Sequence, residues 1–519
     1  MTWQTNSSDS GDIVLYDDTS RRGVPGNYRY TGTGSNHTYS GASGFIHDVE
    51  LTGLNPDTTY YFVCGGPPGG YSAERSFRTA PTISSDVRFM VGGDSRSNLV
   101  ERGKISETMA SFNPVFAMHS GDMVNDGRVQ SQWDSWFTDV DSLWTGENNL
   151  TIPIIPVLGN HEYPQYVNSK YFTQFALPRN ERWYSYDWGP DIHIICLDSE
   201  TSASGPQRDW LENDLASHAN YTWKLVLFHK PPFVSGAHSP WTPALTYWVP
   251  LFDKYHVDVV FNGHEHSYQR SHPLNWTASQ TEPQSPANGT TYIVTGGWGA
   301  PLYTPDPIWY MVHQNRTHHF VLIDAFRNGT LHLQAKDNLG NTFDEVTIRK
   351  APVHDIAIVG VTTSPTELAI GKPVSTNVTV LNEGTEMETF NVSVHYETSE
   401  TDTQTATGLS AGANATFSFT WNTTGLDVGN YAIRAYASQV AGETDTTDNT
   451  LTSGWIAVTF PGDINGDRDV DIFDIVMMAG KYSTVKPDPL YDSNCDLDFD
   501  GDIDIDDILI AVGNFDKSW

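Results

Sequence analysis

The sequence predicts a multidomain protein in which two β-sandwiches flank a central α/β domain and a small α-helical module follows. Three observations predict this order. The chain has 519 residues, more than a single hydrophobic core usually holds. Short runs of alternating hydrophobicity fill residues 1–82 and 351–460, whereas apolar runs that end in Gly-Asp, Gly-Asn or His fill residues 83–350. Residues 461–519 hold two acidic loops, each followed by an apolar segment with helical spacing.

Each domain has its own pattern. In the first, runs such as DIVLY, TTYYFVCGG and ERSFRTAP alternate with Gly, Pro, Asn and Asp turns, as in a β-sandwich. In the central domain the apolar runs are VRFMVGGD, PVFAMHSGD, PIIPVLGNH, KLVLFHK and VDVVFNGH. A buried strand that ends in a polar group delivers a side chain to a site at its carboxyl end. Helix-like stretches such as RDWLENDLASH lie between these runs, and the third domain returns to a β pattern (VSTNVTVLN, TFNVSVHYET).

The charge of the chain argues against two classes of partner. The formal net charge is -34, and residues 463–519 alone contain 15 Asp and no Glu against four Lys or Arg. Such a surface repels nucleic acids and anionic membranes, so we expect neither as a partner. No apolar run has transmembrane length, and the start, MTWQTNSSDS, is not a signal peptide. Twelve Asn-x-Ser/Thr sequons favour an extracellular glycoprotein, whose leader would then lie outside this numbering.

The polar residues at the strand ends of the central domain are candidate metal ligands. Taken singly, an Asp or His at such a position is more often a hydrogen-bonded residue than a ligand. As a set, they are all of ligand type, they all follow apolar runs, and most lie beside a glycine, which lets the backbone approach an ion closely. A carboxylate such as that of Asp122 can bridge two cations. The candidates are Asp94, Asp122, Asn160, His229, His264 and His266.

The order of these motifs (GGD, SGD, GNHE, LFHK and GHEHSYQR) resembles that of the calcineurin-like metallophosphoesterase superfamily, and within it the purple acid phosphatases. The resemblance covers about residues 1–350 and includes SFRTAP and TGGWGA. It implies a fibronectin-III-like N-terminal domain and a four-layer αββα sandwich for the catalytic domain. It also implies two metal ions that share Asp122, one held by Asp94, Asp122 and His266 and the other by Asp122, Asn160, His229 and His264.

The sequence departs from this family at one ligand. Purple acid phosphatases have Tyr three residues after the bridging Asp, and its phenolate binds ferric iron and gives the colour, whereas this chain has Asn125 there. Calcineurin-like members without that Tyr usually have His two residues after the first Asp, where this chain has Arg96. We therefore expect Asn125 as a neutral fourth ligand, and divalent Fe, Mn or Zn in place of a trivalent ion. We also expect a colourless protein with a pH optimum nearer neutral than acid.

The resemblance implies a metal-dependent phosphoesterase. Two cations clamp the phosphoryl oxygens and lower the pKa of a bound water, and the resulting hydroxide attacks phosphorus. His161, and after it His238, are candidates to protonate the leaving oxygen, and Arg96 is a candidate donor to a phosphate oxygen, although a surface role fits Arg96 equally. The first hypothesis is a secreted phosphomonoesterase, and the second is a phosphodiesterase or nucleotidase with the same metals. The third is an adhesive binding protein with an inactive phosphoesterase fold.

The C-terminal segment contains the same acidic spacing twice, 33 residues apart, in DINGDRDVDIFD and DLDFDGDIDIDD. Positions 1, 3, 5, 9 and 12 are Asp or Asn in both, the oxygen-rich spacing of an EF-hand-type calcium loop. Two such loops resemble the dockerin module, which implies a cohesin-bearing scaffold or surface protein as partner, with a calcium-stabilised cap as the alternative. Arg468 stands where the module usually has Gly, and Gly501 fills that position in the second loop. The candidate calcium ligands are Asp463, Asn465, Asp467, Asp469, Asp471, Asp474, Asp496, Asp498, Asp500, Asp502, Asp504 and Asp507.

The second sandwich has a weaker resemblance of its own. Its segments NVTVLNEGTE and DNT are similar to those of the CARDB domains, which are Ig-like, adhesion-type modules of exported microbial proteins.

Overall fold

The computed structural model divides the chain into two compact units, residues 1–350 and 351–519. The first contains a β domain followed by an α/β domain, and the second contains a β-sandwich followed by two short helices. Among the described residues, no helix has the length and apolar character needed to cross a membrane. The structure describes residues 1–6, 11–162, 169–276, 282–286, 288–350, 352–397 and 399–518.

The N-terminal domain consists of two antiparallel sheets. Its strands are β1 (Thr2–Thr5), β2 (Ile13–Asp17), β3 (Tyr30–Thr33), β4 (Ser35–His37), β5 (Phe45–Asp48), β6 (Thr59–Gly66), β7 (Gly70–Tyr71) and β8 (Arg75–Arg78). The first sheet has the order β1-β5-β4, and the second has the order β3-β2-β6-β7 with β8 paired to β6. Val14, Val49 and Phe62 form the centre of the core. The predicted N-terminal β domain is confirmed.

The central domain is built on two sheets. Its elements are β9 (Val87–Gly92), α1 (Leu99–Ser111), β10 (Ala117–His119), α2 (Gln130–Leu143), β11 (Ile154–Pro156), α3 (Tyr171–Gln174), β12 (Tyr184–Trp188), β13 (Ile192–Cys196), α4 (Pro206–Ser217), β14 (Trp223–Leu227), α5 (Thr242–Tyr247), α6 (Val249–Tyr255), β15 (Val259–Asn262), β16 (Tyr268–Leu274), β17 (Thr290–Thr295), β18 (Met311–Asn315), β19 (His319–Phe326), β20 (Thr330–Asp337) and β21 (Thr342–Arg349). The six-stranded sheet has the order β11-β10-β9-β19-β20-β21, and the seven-stranded sheet has the order β12-β13-β14-β15-β17-β16-β18. β9, β10 and β11 run parallel to one another, as do β14 and β15.

The alternation of side chains along the central strands sets the layers. In β9, Phe89 and Val91 lie in the core between the two sheets, whereas Met90 packs with residues of α1. In β14, Leu225 lies in the same inter-sheet core, whereas Val226 packs with residues of α4 and α6. Because both faces of these strands are buried, apolar residues occupy neighbouring positions, and the strands lack the alternation of apolar and polar residues that a half-buried strand shows. The resulting order of helices, sheet, sheet and helices confirms the predicted αββα architecture.

The second unit begins with a sandwich of long strands. They are β22 (Ile356–Ser364), β23 (Glu367–Ala369), β24 (Pro373–Asn382), β25 (Glu388–Tyr396), β26 (Ser399–Leu409), β27 (Asn414–Asn422), β28 (Gly429–Ala437) and β29 (Thr450–Thr459). The sheets have the orders β22-β24-β27 and β23-β29-β28-β25-β26. Alternate residues such as Val378, Val392 and Ile456 face the core, which confirms the predicted Ig-like sandwich.

The C-terminal module contains the two helices α7 (Ile472–Ala479) and α8 (Ile505–Gly513), one after each acidic loop. Both helices begin with a capping box, formed by Asp471 with Asp474 and by Asp504 with Asp507. The side chains packed between the helices and loops include Met478, Cys495, Leu497, Ile503 and Ala511. The helical segments expected after the two loops are therefore present, while their assignment to a dockerin-like module stays a prediction.

Candidate metal centre

The six candidate metal ligands lie together at the carboxyl ends of strands from both sheets. Each follows β9, β10, β11, β14 or β15 along the chain. Parallel strands end at the same edge of a sheet, so the fold itself brings these side chains to one place. The residues are Asp94, Asp122, Asn160, His229, His264 and His266.

The first group of donors consists of Asp94, Asp122 and His266. Each offers a ligand atom within 4.8 Å of the other two. Nδ1 of His266 lies 2.7 Å from the main-chain oxygen of Pro301, so Nδ1 carries the proton and Nε2 presents a lone pair. That Nε2 faces Oδ1 of Asp94 at 3.3 Å, and no hydrogen-bond donor reaches this buried oxygen among the described residues. The Arg96 guanidinium approaches the same Nε2 at 3.5 Å, and a metal ion between this nitrogen and the carboxylate would satisfy both groups, so these residues fit a metal ion.

The second group of donors surrounds His229. Its Nδ1 lies 2.8 Å from the main-chain oxygen of Ser120, so its Nε2 also presents a lone pair. This Nε2 lies 3.0 Å from Oδ1 of Asn160, 3.4 Å from Oδ1 of Asp122 and 3.2 Å from Nδ1 of His264. One amide oxygen, one carboxylate and two imidazoles are the donors that a divalent transition metal prefers. Asp122 belongs to both groups, as a bridging ligand must.

Burial keeps the imidazoles of His229 and His264 neutral. Burial lowers the pKa of His229 to about 4, and burial together with the neighbouring His229 lowers the pKa of His264 to about 2. Burial and the carboxylates of Asp94 and Glu162 raise the pKa of Asp122. The neutral rings are ready to coordinate a cation, and a bound cation would in turn stabilise the ionised form of Asp122.

The backbone at the centre is held in an uncommon conformation. Asp94, Asp122 and His264 have left-handed φ angles of 59°, 58° and 71°. Such angles are uncommon for residues other than glycine and cost energy, which the surrounding structure must supply. Gly159 also allows a close approach, since a Cβ at this position would lie 2.1 Å from Oδ1 of Asp122. The Gly-Asp and Gly-Asn pairs in the sequence thus reflect both the turns and the tight packing around the ligands.

His161, Arg96 and Asn125 lie on the Asp122 side of the centre. Nδ1 of His161 pairs with the main-chain oxygen of Asn125 at 2.6 Å, and its Nε2 lies 3.7 Å from Oδ2 of Asp122. Arg96 donates to Oδ1 of Asn125 at 2.7 Å, and its Nε lies 3.6 Å from Oδ2 of Asp122. The side-chain oxygen of Asn125, predicted as a ligand, therefore accepts a hydrogen bond from Arg96 in this structure. Burial lowers the pKa of His161.

His238 lies beside the centre and is oriented by Glu265, a residue that the sequence analysis did not identify. Its ring lies 3.9 Å from that of His264, and its Nδ1 lies 2.9 Å from Oε2 of the buried Glu265, which fixes the orientation of the ring. Glu265 lies between the two histidines of GHEH. Because successive side chains of an extended segment point to opposite sides, the sequence indicated that Glu265 points away from the side of the two histidines. Tyr303, whose ring stacks on His266 at 4.3 Å, belongs to no motif that would have indicated it.

Glu162 also supports the centre, and the sequence analysis gave it no role. It is fully buried and accepts hydrogen bonds from the main-chain N–H groups of Asp122 at 2.7 Å, Val124 at 3.0 Å and Gly159 at 2.9 Å. Burial raises its pKa to about 7. The carboxylate ties the loop after β10 to the loop after β11, and its signal was the Glu that completes the GNHE motif.

Comparisons with known proteins define the class of three segments of the chain. Residues 87–268 match the family model of the calcineurin-like phosphoesterases. Residues 1–79 match the N-terminal domain of purple acid phosphatases, and residues 354–453 match the CARDB domain. The first unit therefore contains a calcineurin-like phosphoesterase domain preceded by a purple acid phosphatase N-terminal domain, and the second contains a CARDB domain. The resemblances to the calcineurin-like phosphoesterases, the purple acid phosphatases and the CARDB domains are confirmed, while the dockerin resemblance stays a prediction.

Several of the relatives are purple acid phosphatases. The chain is 27% identical over 340 residues to purple acid phosphatase 15 of Arabidopsis thaliana, which covers 51% of this chain and 59% of that protein. It is 30% identical over 291 residues to probable purple acid phosphatase 20 of the same plant, which covers 52% of this chain and 65% of that protein. The chain thus spans less than two thirds of either relative. A purple acid phosphatase from yellow lupin (Lupinus luteus) seeds shares the fold, with a TM-score of 0.57 and 21% identity over 67% of this chain and 71% of that chain.

Proposed function

We propose that this protein hydrolyses phosphate monoesters at a centre of two divalent transition metal ions. One observation carries the proposal: nitrogen and oxygen atoms of ligand type from six residues approach one another in two groups at 3.0–3.4 Å, an arrangement that cations satisfy. The calcineurin-like phosphoesterase domain that supplies these residues supports the reaction class. When bound, two such ions would neutralise the phosphoryl oxygens and lower the pKa of the attacking water.

The residues of the chain have distinct roles in this proposal. Arg96, held beside Asp122 by Asn125, would donate to a phosphate oxygen. His161 would protonate the leaving oxygen, because the negative charge of a bound phosphate ester would raise the pKa that burial lowers. His238, oriented by Glu265, is the second candidate for this step. The ligands would be Asp94, Asp122 and His266 for one ion, and Asp122, Asn160, His229 and His264 for the other, with Asn125 as an additional neutral ligand of the first ion.

The absence of a tyrosine phenolate at position 125 supports divalent metal ions. Asn125 supplies no negative charge, and Arg96 beside it adds a positive one, so the first site is less suited to a trivalent ion than a site with tyrosinate. We therefore propose divalent Fe, Mn or Zn and a colourless enzyme. Metal analysis and a visible spectrum of the loaded protein test this, and a charge-transfer band in the visible range would contradict it.

The activity is tested with p-nitrophenyl phosphate and bis-p-nitrophenyl phosphate on protein of known metal content. We expect about two transition metal ions per chain and preference for the monoester. Asp122→Asn should lose both metal and turnover. Asp324→Asn is the matched control, since Asp324 pairs with Arg88 at 2.7 Å outside the centre, and it should keep both. Preference for the diester would indicate a phosphodiesterase or nucleotidase, and absence of both metals and turnover would favour a binding protein.

We also propose that the two C-terminal loops bind calcium. The carboxylates at position 1, Asp463 and Asp496, each accept hydrogen bonds from the main-chain N–H groups of the fourth and sixth loop residues. Those at position 12, Asp474 and Asp507, accept from the second and third loop residues. The two loops therefore hold the oxygen atoms of the same positions in the same way, which supports two equivalent calcium sites formed by the twelve candidate ligands.

The Arg in the first loop does not alter its turn. Arg468 has a φ of 74°, in the left-handed region that Gly501 occupies with a φ of 95° in the second loop. In the second loop, Asp496, Asp498 and Asp500 offer carboxylate oxygens within 4.8 Å of one another. Calcium titration by calorimetry, with two ions per chain expected from the two loops, tests the assignment.

The exposed faces of the two C-terminal helices support a docking role. The equivalent positions Ile472 and Ile505, and likewise Val476 and Leu509, are apolar and 51–62% exposed. Such a repeated apolar surface indicates a protein partner, and with the acidic loops it supports a cohesin-bearing scaffold or surface protein. Secretion is proposed together with this partner.

The partner is tested by binding to a panel of recombinant cohesin domains with calcium or with EGTA. We expect binding only with calcium, and its loss in the double variant Val476→Lys, Leu509→Lys. Val359→Lys, at a valine that is 50% exposed on the CARDB domain, is the control and should bind normally. Saturated calcium loops without binding to any cohesin would favour the calcium-stabilised cap.

A further inference from the structure

A second cluster of ligand-type side chains lies at the edge of the seven-stranded sheet. Asp187 of β12 and His193 of β13 are cross-strand partners, and His218 follows the last residue of α4. The rings of His193 and His218 stack with their centroids 3.8 Å apart and an interplanar angle of 11°. The three side chains each offer a ligand atom within 4.8 Å of the other two.

Hydrogen bonds on one side of the two rings fix the positions of their protons. Nε2 of His193 lies 2.9 Å from Oδ2 of Asp214, and Nδ1 of His218 lies 2.7 Å from the main-chain oxygen of Asp214. Because both partners are acceptors, these two nitrogens carry the protons. The other two nitrogens face Asp187, with His193 Nδ1 2.7 Å from Oδ1 and His218 Nε2 3.9 Å from Oδ2.

Two neutral rings with these protons would direct lone pairs at the carboxylate of Asp187, an arrangement that a positive charge shared by the three groups would stabilise. A proton on Nδ1 of His193 alone would satisfy its 2.7 Å contact with Oδ1 of Asp187 but would leave Nε2 of His218, 3.9 Å from Oδ2, unbridged, and protonation of both rings would place two positive charges on rings only 3.8 Å apart. One divalent cation shared by both rings and the carboxylate meets the need without that repulsion.

We propose that Asp187, His193 and His218 bind one divalent transition metal ion, with Zn²⁺ favoured by the donor chemistry. Two imidazole nitrogens and one carboxylate oxygen form a donor set that Zn²⁺ prefers, and a water completes the coordination. Asp214 orients His193 in the way that carboxylates commonly orient metal-bound histidines. The side chain of His193 is fully buried, while that of Asp187 is 42% exposed, so the ion has access from the Asp187 side.

This site is separate from the catalytic centre. His193 is the second residue of β13, which runs parallel to β14, whereas the catalytic ligand His229 follows the end of β14. The two sites therefore lie at opposite ends of the parallel strands. An ion here would tie the β12–β13 hairpin to the C-terminal end of α4, so it would support stability and would leave turnover unchanged.

The test starts from full-length protein that is stripped of metal and titrated with Zn²⁺, with the bound ions counted by mass spectrometry and unfolding followed by heating. The wild type should bind one zinc ion more than His218→Ala, and zinc at this site should raise its Tm. Asp187→Asn keeps the shape of the side chain and should weaken zinc binding at this site about tenfold or more, which decides the matter if His218→Ala does not fold. His272→Ala removes an exposed imidazole of β16 outside the cluster and should keep every zinc ion.

Equal zinc stoichiometry and affinity in the wild type, His218→Ala and Asp187→Asn would overturn the proposal. A wild-type Tm that changes with pH around the usual pKa of histidine but does not change with zinc would also overturn it. That result would show that protons hold the stacked pair.

Discussion

Replacing Gly159 with Ala should displace the carboxylate that both metal ions would share. A Cβ on Gly159 would lie 2.1 Å from Oδ1 and 2.4 Å from the main-chain N of Asp122, well inside the 3.0 Å below which such contacts are essentially never seen. Any movement of Asp122 would strain two hydrogen bonds, because its N–H donates to Glu162 at 2.7 Å and its Oδ1 accepts from the main-chain N–H of His161 at 3.0 Å. The loop or the carboxylate must therefore shift by about 1 Å, and a shift of that size at a reacting centre costs about a hundredfold in rate, or about 2.7 kcal/mol.

The assay is kcat/KM for p-nitrophenyl phosphate with metal analysis of the same samples. Gly159→Ala should lose about a hundredfold in kcat/KM and should hold less metal than the wild type. The matched control is Gly103→Ala in α1, where the nearest atom to the new Cβ is Cδ1 of Leu143 at 3.8 Å. This change should stabilise the helix by about 0.5–1 kcal/mol and leave turnover unchanged. Full metal content and a kcat/KM within about threefold of the wild type in Gly159→Ala would refute the reasoning.

Three further predictions concern other parts of the chain. Glu265→Gln should lower kcat about tenfold by loosening His238, with the metal content unchanged by mass spectrometry; loss of metal would instead make Glu265 part of the metal support. Burial raises the pKa of Asp253 to about 6, and its Oδ1 has no hydrogen-bond partner among the described residues. The folded state then binds this proton more tightly than the unfolded state, so stability falls as pH rises from about 4 to about 6, and Asp253→Asn should gain about 1 kcal/mol near pH 7 and nothing near pH 4. Thermal unfolding at both values measures this, and an equal difference at both would contradict it. Asp474→Ala and Asp507→Ala should each remove one calcium ion of two by calorimetry, since each carboxylate holds its own loop, and retention of both ions would place the sites elsewhere.

The grouping of the six candidate ligands could be predicted because its signal is local. His229, for example, directly follows a continuous apolar run, and such a run is a strand buried on both faces. Once several such strands are parallel, their ends meet, and the residue types at those ends define the chemistry. The αββα layers follow from the same runs, since strands such as β14 need cover on both faces.

The supporting residues could not be predicted in this way, because their partners lie on loops whose paths the local pattern does not define. Glu162 binds main-chain groups of two different loops, and Glu265 reaches back to His238 across 27 residues of chain. The stack of His193 on His218 joins a hairpin to the end of a helix, and neither segment carries a motif. These contacts depend on tertiary packing, which pattern and propensity do not encode.

The charges at the catalytic centre also bear on the proposed substrate. Asp94 and Asp122 are the two carboxylates among the six candidate ligands, so two divalent ions would leave the centre positive, and Arg96 beside Asp122 adds to that charge. A phosphate monoester carries two negative charges near neutral pH and a diester carries one, so the monoester neutralises more of the excess. In a buried centre each uncompensated charge is costly, because the surrounding medium screens it poorly. The phenolate charge that Asn125 does not supply is offset by the lower charge of the proposed divalent ion, so the excess that favours the more highly charged substrate comes from the two ions and Arg96.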